Sequence, residues 1–344
     1  MGTVVQRTKY NFIFSLLSQV ITIALGLIIP RITMVGYGSE VNGLLNSVTQ
    51  FVAYLIVFEA GIQSVATQSL YKTIGEGDQR STNEILSAVD KNYRRIGLIY
   101  FLGLLGLSAI YPLFTMSESL GYLTIFVVVL FSGLGNVVSF LFQGKYKILL
   151  MVEGKNYILT NLTTIVTILN NLVKIVLLYL GWNVSLVIFA TFLVSLIQAV
   201  YILVYIKKKY TWINLFEKPN YVALKQSKSA LVHQISGLIF SHTDVFLLTV
   251  FCGLQVVSVY SVYKMICDHM FSFLRIPLDS CSFALGQMYN IDKKKYEQQI
   301  RIVKEVLHSR LVSKDIRQLV KGVMVESYIE PGNQKIGCDH IYGK

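Results

Sequence analysis

Charge is what this chain has least of. Asp, Glu, Lys and Arg make up 15% of its 344 residues, against roughly 25% in soluble globular chains. Apolar residues reach 53% and the mean hydropathy is +0.56. A soluble fold must still present polar groups to water, so this composition excludes an ordinary soluble protein despite a length that would suit two domains. Acidic residues are scarcer than basic ones, 19 against 31, for a net charge of +12. In a soluble chain that excess would point to phosphate neutralisation on nucleic acid. Here the basic residues sit in short loops between apolar runs, and no nucleic-acid partner is expected.

Other signatures are missing as well. The four cysteines, Cys252, Cys267, Cys281 and Cys338, have no paired spacing, which excludes a disulfide framework or a zinc pattern. Cys267 and His269 are near neighbours, but two potential ligands do not make a metal site. No G-x-x-x-x-G-K-[ST] loop is present, so no ATPase is built in. G-x-S-x-G and H-E-x-x-H are absent too. The apolar part offers no catalytic constellation, and neither enzyme activity nor a cofactor is expected of it. No repeat of 20–50 residues marks a solenoid. The first apolar run has no small-residue cleavage site and reads as a retained helix.

What remains is a series of long apolar runs. A span needs about 20 mostly apolar residues to cross a ~30 Å hydrocarbon core. Eight segments qualify, near 11–34, 43–70, 96–114, 121–143, 157–180, 184–206, 229–251 and 253–276, the second and eighth being the most polar. The loops test this assignment independently. Arg7 and Lys9 precede the first span; Lys72, Arg80, Lys91, Arg94 and Arg95 follow the second. Lys145, Lys147 and Lys155 follow the fourth, and Lys207, Lys208, Lys209, Lys218, Lys225 and Lys228 the sixth. The opposite connections, around 115–120, 181–183 and 252–254, carry no basic residue. This alternation predicts a cytoplasmic N-terminus and a closed bundle of six spans. From 292 onward the character changes: 18 of the 53 residues are charged. Helices over 294–311 and 314–319 and a strand over 321–327 are expected there.

Ionisable groups inside spans cost about 2.5–3.5 kcal/mol each on insertion scales and are candidate functional groups. Arg31 lies near the outer end of the first span, Glu59 in the second, Lys174 in the fifth and Asp244 in the seventh. Lys264 and Asp268 lie in the eighth, and His233 and His242 in the seventh. One reading sets Arg31, Lys174, Asp244, Glu59 and Lys264 around a central cavity, cations holding an anionic headgroup and carboxylates or histidines coupling to an ion gradient. The other has them snorkelling or paired between helices; Lys264 and Asp268, four apart, can pair on one face. Ser15, Ser18, Gln19, Thr22, Asn136, Asn170 and Asn171 also interrupt the spans, most as interhelical hydrogen-bond partners and a minority as candidates to touch ligand.

The run SLLSQVITIALGLIIPRITMVGYGSEVNGLLNSVTQFVAYLIVFEAGIQSVATQSLYK resembles bacterial polysaccharide biosynthesis proteins of the oligosaccharide flippase family. This family belongs to the multidrug/oligosaccharidyl-lipid/polysaccharide exporter superfamily. SHTDVFLLTVFCGLQVVSVYSVYKM and SFALGQMYN continue the resemblance, which covers residues 1–292. It implies an all-α polytopic membrane protein in the bacterial cytoplasmic membrane, a two-lobed bundle of 12–14 helices working by alternating access. The implied cargo is polyprenyl-pyrophosphate-linked oligosaccharide, with membrane lipids and polysaccharide assembly proteins as partners. A cation-coupled drug or metabolite antiporter of the same superfamily is the alternative. About eight transmembrane helices are expected here: a first lobe over 1–210 and two helices of a second over 211–292.

The tail, 293–344, resembles another family. KKYEQQIRIVKEVLHSRLVSKDIRQLVKGVMVESYIEPGNQKIGCDHIYGK, with its GVMVES, GNQ and YGK elements, is similar to the C-terminal part of 3-deoxy-7-phosphoheptulonate synthase. That family is a metal-dependent β/α barrel, and helix, helix and strand fit a piece of one. The resemblance makes Glu326 the counterpart of one metal ligand. A lone carboxylate holds no catalytic metal, so no metal site and no synthase activity are expected. The expectation is a truncated flippase joined near 293–299 to a short α/β enzyme fragment.

Overall fold

The computed structural model describes residues 4–115, 120–224 and 242–291, and among these it is helical with no sheet. Two compact units are Met1–Ala284 and Leu285–Lys344. The expected tail helices and strand, Glu326, and His233 lie outside the described residues.

Helix α1 is Val4–Tyr37, α2 Ser39–Glu76 and α3 Gln79–Thr115. α4, Tyr122–Val138, runs through a π turn, Ser139–Gln143, into α5, Gly144–Val152. α6 is Asn156–Tyr179 and α7 Val184–Lys209. After a 3-10 turn at Val222–Leu224 come α8, His242–Phe251, and α9, Leu254–Ile291. Five helical segments are long and apolar enough to cross a membrane: Gln6–Tyr37, Gln79–Thr115, Tyr122–Val152, Asn156–Tyr179 and Val184–Lys209. This is a multi-pass membrane protein. The expected second and eighth spans fall on α2 and α9, both 38 residues long but more polar than the five. The apolar helix at the seventh is described only over His242–Phe251.

Three expected boundaries are corrected. The third helix begins at Gln79, well before 96. The fourth span does not stop at 143 but continues to Val152, the π turn at Ser139–Gln143 joining α4 to α5 without ending the helix. The eighth does not stop at 276: α9 passes through Pro277 to Ile291. Proline is tolerated within such helices because neighbouring helices re-satisfy the freed backbone groups.

Side-chain contacts fix the directions. Tyr10 and Phe14 stack near Tyr157, Ser18 meets Thr164 and Gly36 packs on Leu178, so α1 and α6 run parallel. Tyr111 meets Ser47 near one end of α2, and Thr82 meets Thr73 near the other, so α2 and α3 are antiparallel. Gly97 on Leu141 and Gly133 on Leu104 make α3 and α4 antiparallel, with the backbones close enough that a Cβ on Gly133 would lie 2.4 Å from Leu104. Small residues permit such approaches where helices associate by packing in lipid. Leu104, Ile125, Val128 and Leu149 are fully buried, whereas Leu98, Leu102 and Leu113 on α3 are 60% exposed or more. An apolar exterior is what a bilayer requires.

Among the described residues, the expected basic loops converge at one end of the bundle. Asn83 donates to the Trp212 carbonyl and Ser87 to that of Glu217, tying the α2–α3 region to the segment after α7. Arg7 donates to the Glu153 carbonyl and Asn11 to that of Gly154, tying the start of α1 to the α5–α6 turn. We call this the basic end. Two ion pairs reinforce it. Lys145 pairs with Asp90, which also accepts from Arg94 at 2.9 Å. Lys155 pairs with Glu153, which accepts from the Tyr210 hydroxyl. Burial, then that carboxylate, pushes the Tyr210 hydroxyl well above its ordinary pKa and keeps it a donor.

Candidate transport site

Ser15, Ser18, Gln19 and Thr22 recur at helical spacing, so they form one polar stripe along an otherwise apolar α1. On α9, Asp268, Ser272, Arg275 and Asp279 form a second stripe by the same geometry. The structure sets these two faces against each other. Between them lies a cavity of about 350 Å³. Its walls are Ser15, Ser18 and Gln19 from α1, Thr160 from α6, and Ser272, Arg275 and Asp279 from α9, with Ile276.

The contacts hold this arrangement in place. Thr164 donates to Ser18 at 2.7 Å, and Gln19 donates to the His269 carbonyl at 3.2 Å. Gly26 leaves room for the His269 ring, since a Cβ there would lie 2.8 Å from Nε2. Above the cavity, away from the basic end, α9 closes on α2. Asn42 donates to Ser258 at 2.7 Å, and Gly43 sits directly against the Leu254 carbonyl. Below it, Phe283 packs on Gly154, whose positive φ of 73° suits the tight α5–α6 turn. Chemically the cavity offers hydroxyls, an amide, one guanidinium and one carboxylate. It can recognise a polar or zwitterionic group and offers no nucleophile–base pair.

The residues singled out from sequence do not gather in one place. Asp244 accepts from the Tyr260 hydroxyl and from Lys264 at 3.2 Å, and its own carboxylate also accepts from the Val245 N–H at 2.8 Å. Lys264 therefore bridges helices instead of pairing with Asp268 alone. His242 meets Gln50 of α2, and Tyr54 meets Thr243 at 3.4 Å. Glu59 accepts from Tyr93 at 3.0 Å and faces the charge of Lys147, which donates to Ser139 of the π turn. Arg31 is exposed, and Lys174 lies at nearly the same height on the neighbouring α6. Among the described residues neither makes an ion pair.

Of the polar cavity residues, Thr160, Ser272, Arg275 and Asp279 escaped the sequence reading. Asp279 lay beyond the expected span end at 276, whereas Arg275 lay inside the span; the recoverable signal was the spacing of Asp268, Ser272, Arg275 and Asp279 on one helix face. The three described cysteines are free.

Fold and cavity together are those of a helical membrane protein with a polar space between its helices. Among solved structures, the chain is similar to an outward-facing MATE family multidrug resistance transporter of the MOP superfamily, with TM-score 0.63 and 15% identity. That match covers 95% of this chain and 77% of the other. It is also similar to the MATE multidrug transporter DinF-BH, solved as a complex, with TM-score 0.61 and 14% identity, over 98% and 78% of the two chains. A point mutant of the Vibrio cholerae MATE transporter VcmN matches with TM-score 0.51 and 13% identity over 94% and 72%. The chain shares the fold of these transporters. No protein-family model matches it, and no curated protein does.

Proposed function

We propose that this protein is a secondary transporter that moves an organic solute through the cavity between α1, α6 and α9 by alternating access. One observation carries the reading: polar stripes from α1 and from α9 face each other across a cavity of about 350 Å³ in an otherwise apolar molecule. Contacts near both ends of α9, at Gly43 and at Gly154, are placed to open in turn. The basic end faces the cytoplasm of a bacterial cell by the positive-inside rule. The multidrug transporters that share the fold support an amphipathic organic cargo, with Asp279 as its counter-charge and Asp244, held by Tyr260 and Lys264, as the group sensing the coupling cation.

A second reading, export of polyprenyl-pyrophosphate-linked oligosaccharide with polysaccharide assembly proteins as partners, is favoured by the hydroxyl-rich lining and by Arg275. Arg31, Glu59 and Lys174 lie outside the lining and in either reading act elsewhere on the pathway.

The test is transport by the purified chain in proteoliposomes under an imposed proton or sodium gradient, with ethidium as the amphipathic cationic probe. Gradient-driven uptake of ethidium that is lost in Asp279→Asn and kept in Arg275→Met supports the antiporter. Translocation of a polyprenyl-pyrophosphate glycan that is lost in Arg275→Met, without ethidium movement, supports the second reading. Movement of neither sinks the transport proposal.

A further inference from the structure

Away from the basic end, α2 and α8 are joined by a zipper of side chains. Ser47 meets Thr249 at 2.7 Å, both buried, and Tyr111 donates to the same Ser47. One turn along, Phe51 packs on Phe246 with ring centroids 5.2 Å apart. Next, Gln50 meets His242, and Tyr54 meets Thr243 at 3.4 Å. The partners advance along α2 as they retreat along α8, so the two helices run antiparallel. α2 is tied to α3 through Tyr111, and α8 to α9 through Asp244, Tyr260 and Lys264. The zipper therefore joins two groups of helices, and its rungs must part for a pathway between them to open on this side.

One rung can change charge near neutral pH. Imidazole ordinarily titrates there, whereas the Tyr54 phenol and the hydroxyls of Ser47, Thr243 and Thr249 keep their protons. Gln50 presents its Oε1 to His242 Nδ1. A carbonyl oxygen only accepts, so Nδ1 carries the hydrogen and Nε2 is left to take a second proton. His242 is half-buried. From α2 it faces the neutral Gln50 and Tyr54, from α9 Lys264 and Asp268, and on its own helix Asp244. Tyr260 and Lys264 already engage Asp244, and His242 makes no ion pair among the described residues. An imidazolium in the closed zipper would give up hydration without gaining an ion pair, and in a parted zipper it would keep its water. The neutral ring suits the closed state and the charged ring the open one.

We propose that α2 and α8 form the gate of the pathway on the side away from the basic end, and that a proton on His242 opens it. Neutral His242 holds Gln50 and the gate stays shut; the imidazolium leaves the zipper for water and the helices part. This deepens the transport reading, on which it rests, by naming protons on that side as what regulates access to the cavity.

The experiment measures opening directly. Nitroxide labels are placed at Thr49→Cys on α2 and Val250→Cys on α8, both exposed, in a full chain whose four cysteines are replaced by serine. Pulsed electron paramagnetic resonance then reads the distance between them in nanodiscs at about pH 8 and about pH 5. A hydrated imidazole titrates near 6.5, and each unit below that shifts such an equilibrium by up to about tenfold. The ratio of long to short distances should therefore rise about 10–30-fold on acidification. His242→Gln, which can still bond Gln50, should give the short distance at both values, and His242→Arg the long one at both. Asp244→Asn and Asp268→Asn should each keep the response. The proposal is overturned if acid leaves the distances unchanged, if the response survives His242→Gln, if His242→Arg stays closed, or if either carboxylate variant abolishes the response. Ethidium uptake without a pH response sinks the gate and leaves transport standing; a pH response without uptake sinks transport alone.

Discussion

At Gly43 the backbone of α2 lies directly against that of α9, and Gly43→Ala tests how that end of the pathway is closed. A Cβ there would lie 1.9 Å from the Leu254 carbonyl oxygen. Heavy atoms in contact prefer about 3.5 Å, so the two helices must separate by roughly 1.5 Å. Backbone carbonyls cannot swing aside as side chains do. The neighbouring Asn42–Ser258 hydrogen bond, 2.7 Å between two buried side chains, would then stretch beyond hydrogen-bonding range. Overpacking costs about 1–3 kcal/mol and stranding the Asn42 amide a similar amount. Ser258→Ala alone strands the same amide and should cost about 1–3 kcal/mol. In the Gly43→Ala background, however, it should cost less than about 0.5 kcal/mol, because the bond is already broken. Equilibrium unfolding of the four proteins in mixed micelles gives the cycle. Additive costs would refute the reasoning, since they would mean that α9 stays in place when Gly43 acquires a methyl group.

Other consequences are as concrete. Asp90→Ala strands Lys145, whose side chain is 7% exposed, and should cost about 3–5 kcal/mol. Lys145→Met leaves Asp90 paired with Arg94 and should cost clearly less; equal losses of thermal stability would count against the shared-carboxylate arrangement. Asp78, preceding α3, accepts from the Ser81 N–H at 3.0 Å, and hydrogen bonds from Ser81 hold its carboxyl below the ordinary value. A depressed carboxylate pKa means that this cap is fully present above the ordinary carboxylate range and is lost as pH falls through the lowered value. Hydrogen exchange at the start of α3 should therefore accelerate in acid, relative to other segments, and Asp78→Ala should show the faster rate already at neutral pH.

Much of this was legible in the linear sequence. Apolar runs longer than a bilayer marked α1, α3, α4, α6 and α7, because hydropathy is a local sum that needs no partner. The polar stripe Ser15, Ser18, Gln19 and Thr22 was visible for the same reason, although what faced it was not. The ends of α4 and α9 were not legible. Gln143-Gly144-Lys145 and Pro277 look like terminators in a sequence, and only neighbouring helices decide whether the chain continues through them.

What the sequence by itself determined is the class of solvent this chain meets and the common side on which its basic loops lie. Both follow from composition within single segments. The tertiary structure alone decided the pairings: Lys264 with Asp244 instead of only its own-helix neighbour, Glu59 with Tyr93, and Arg275 and Asp279 with the α1 stripe. The reason is rotational. Scarce charge makes each ionisable residue conspicuous in a linear reading, but its partner depends on which helix lies across from it and at what height, and only packing sets those two quantities.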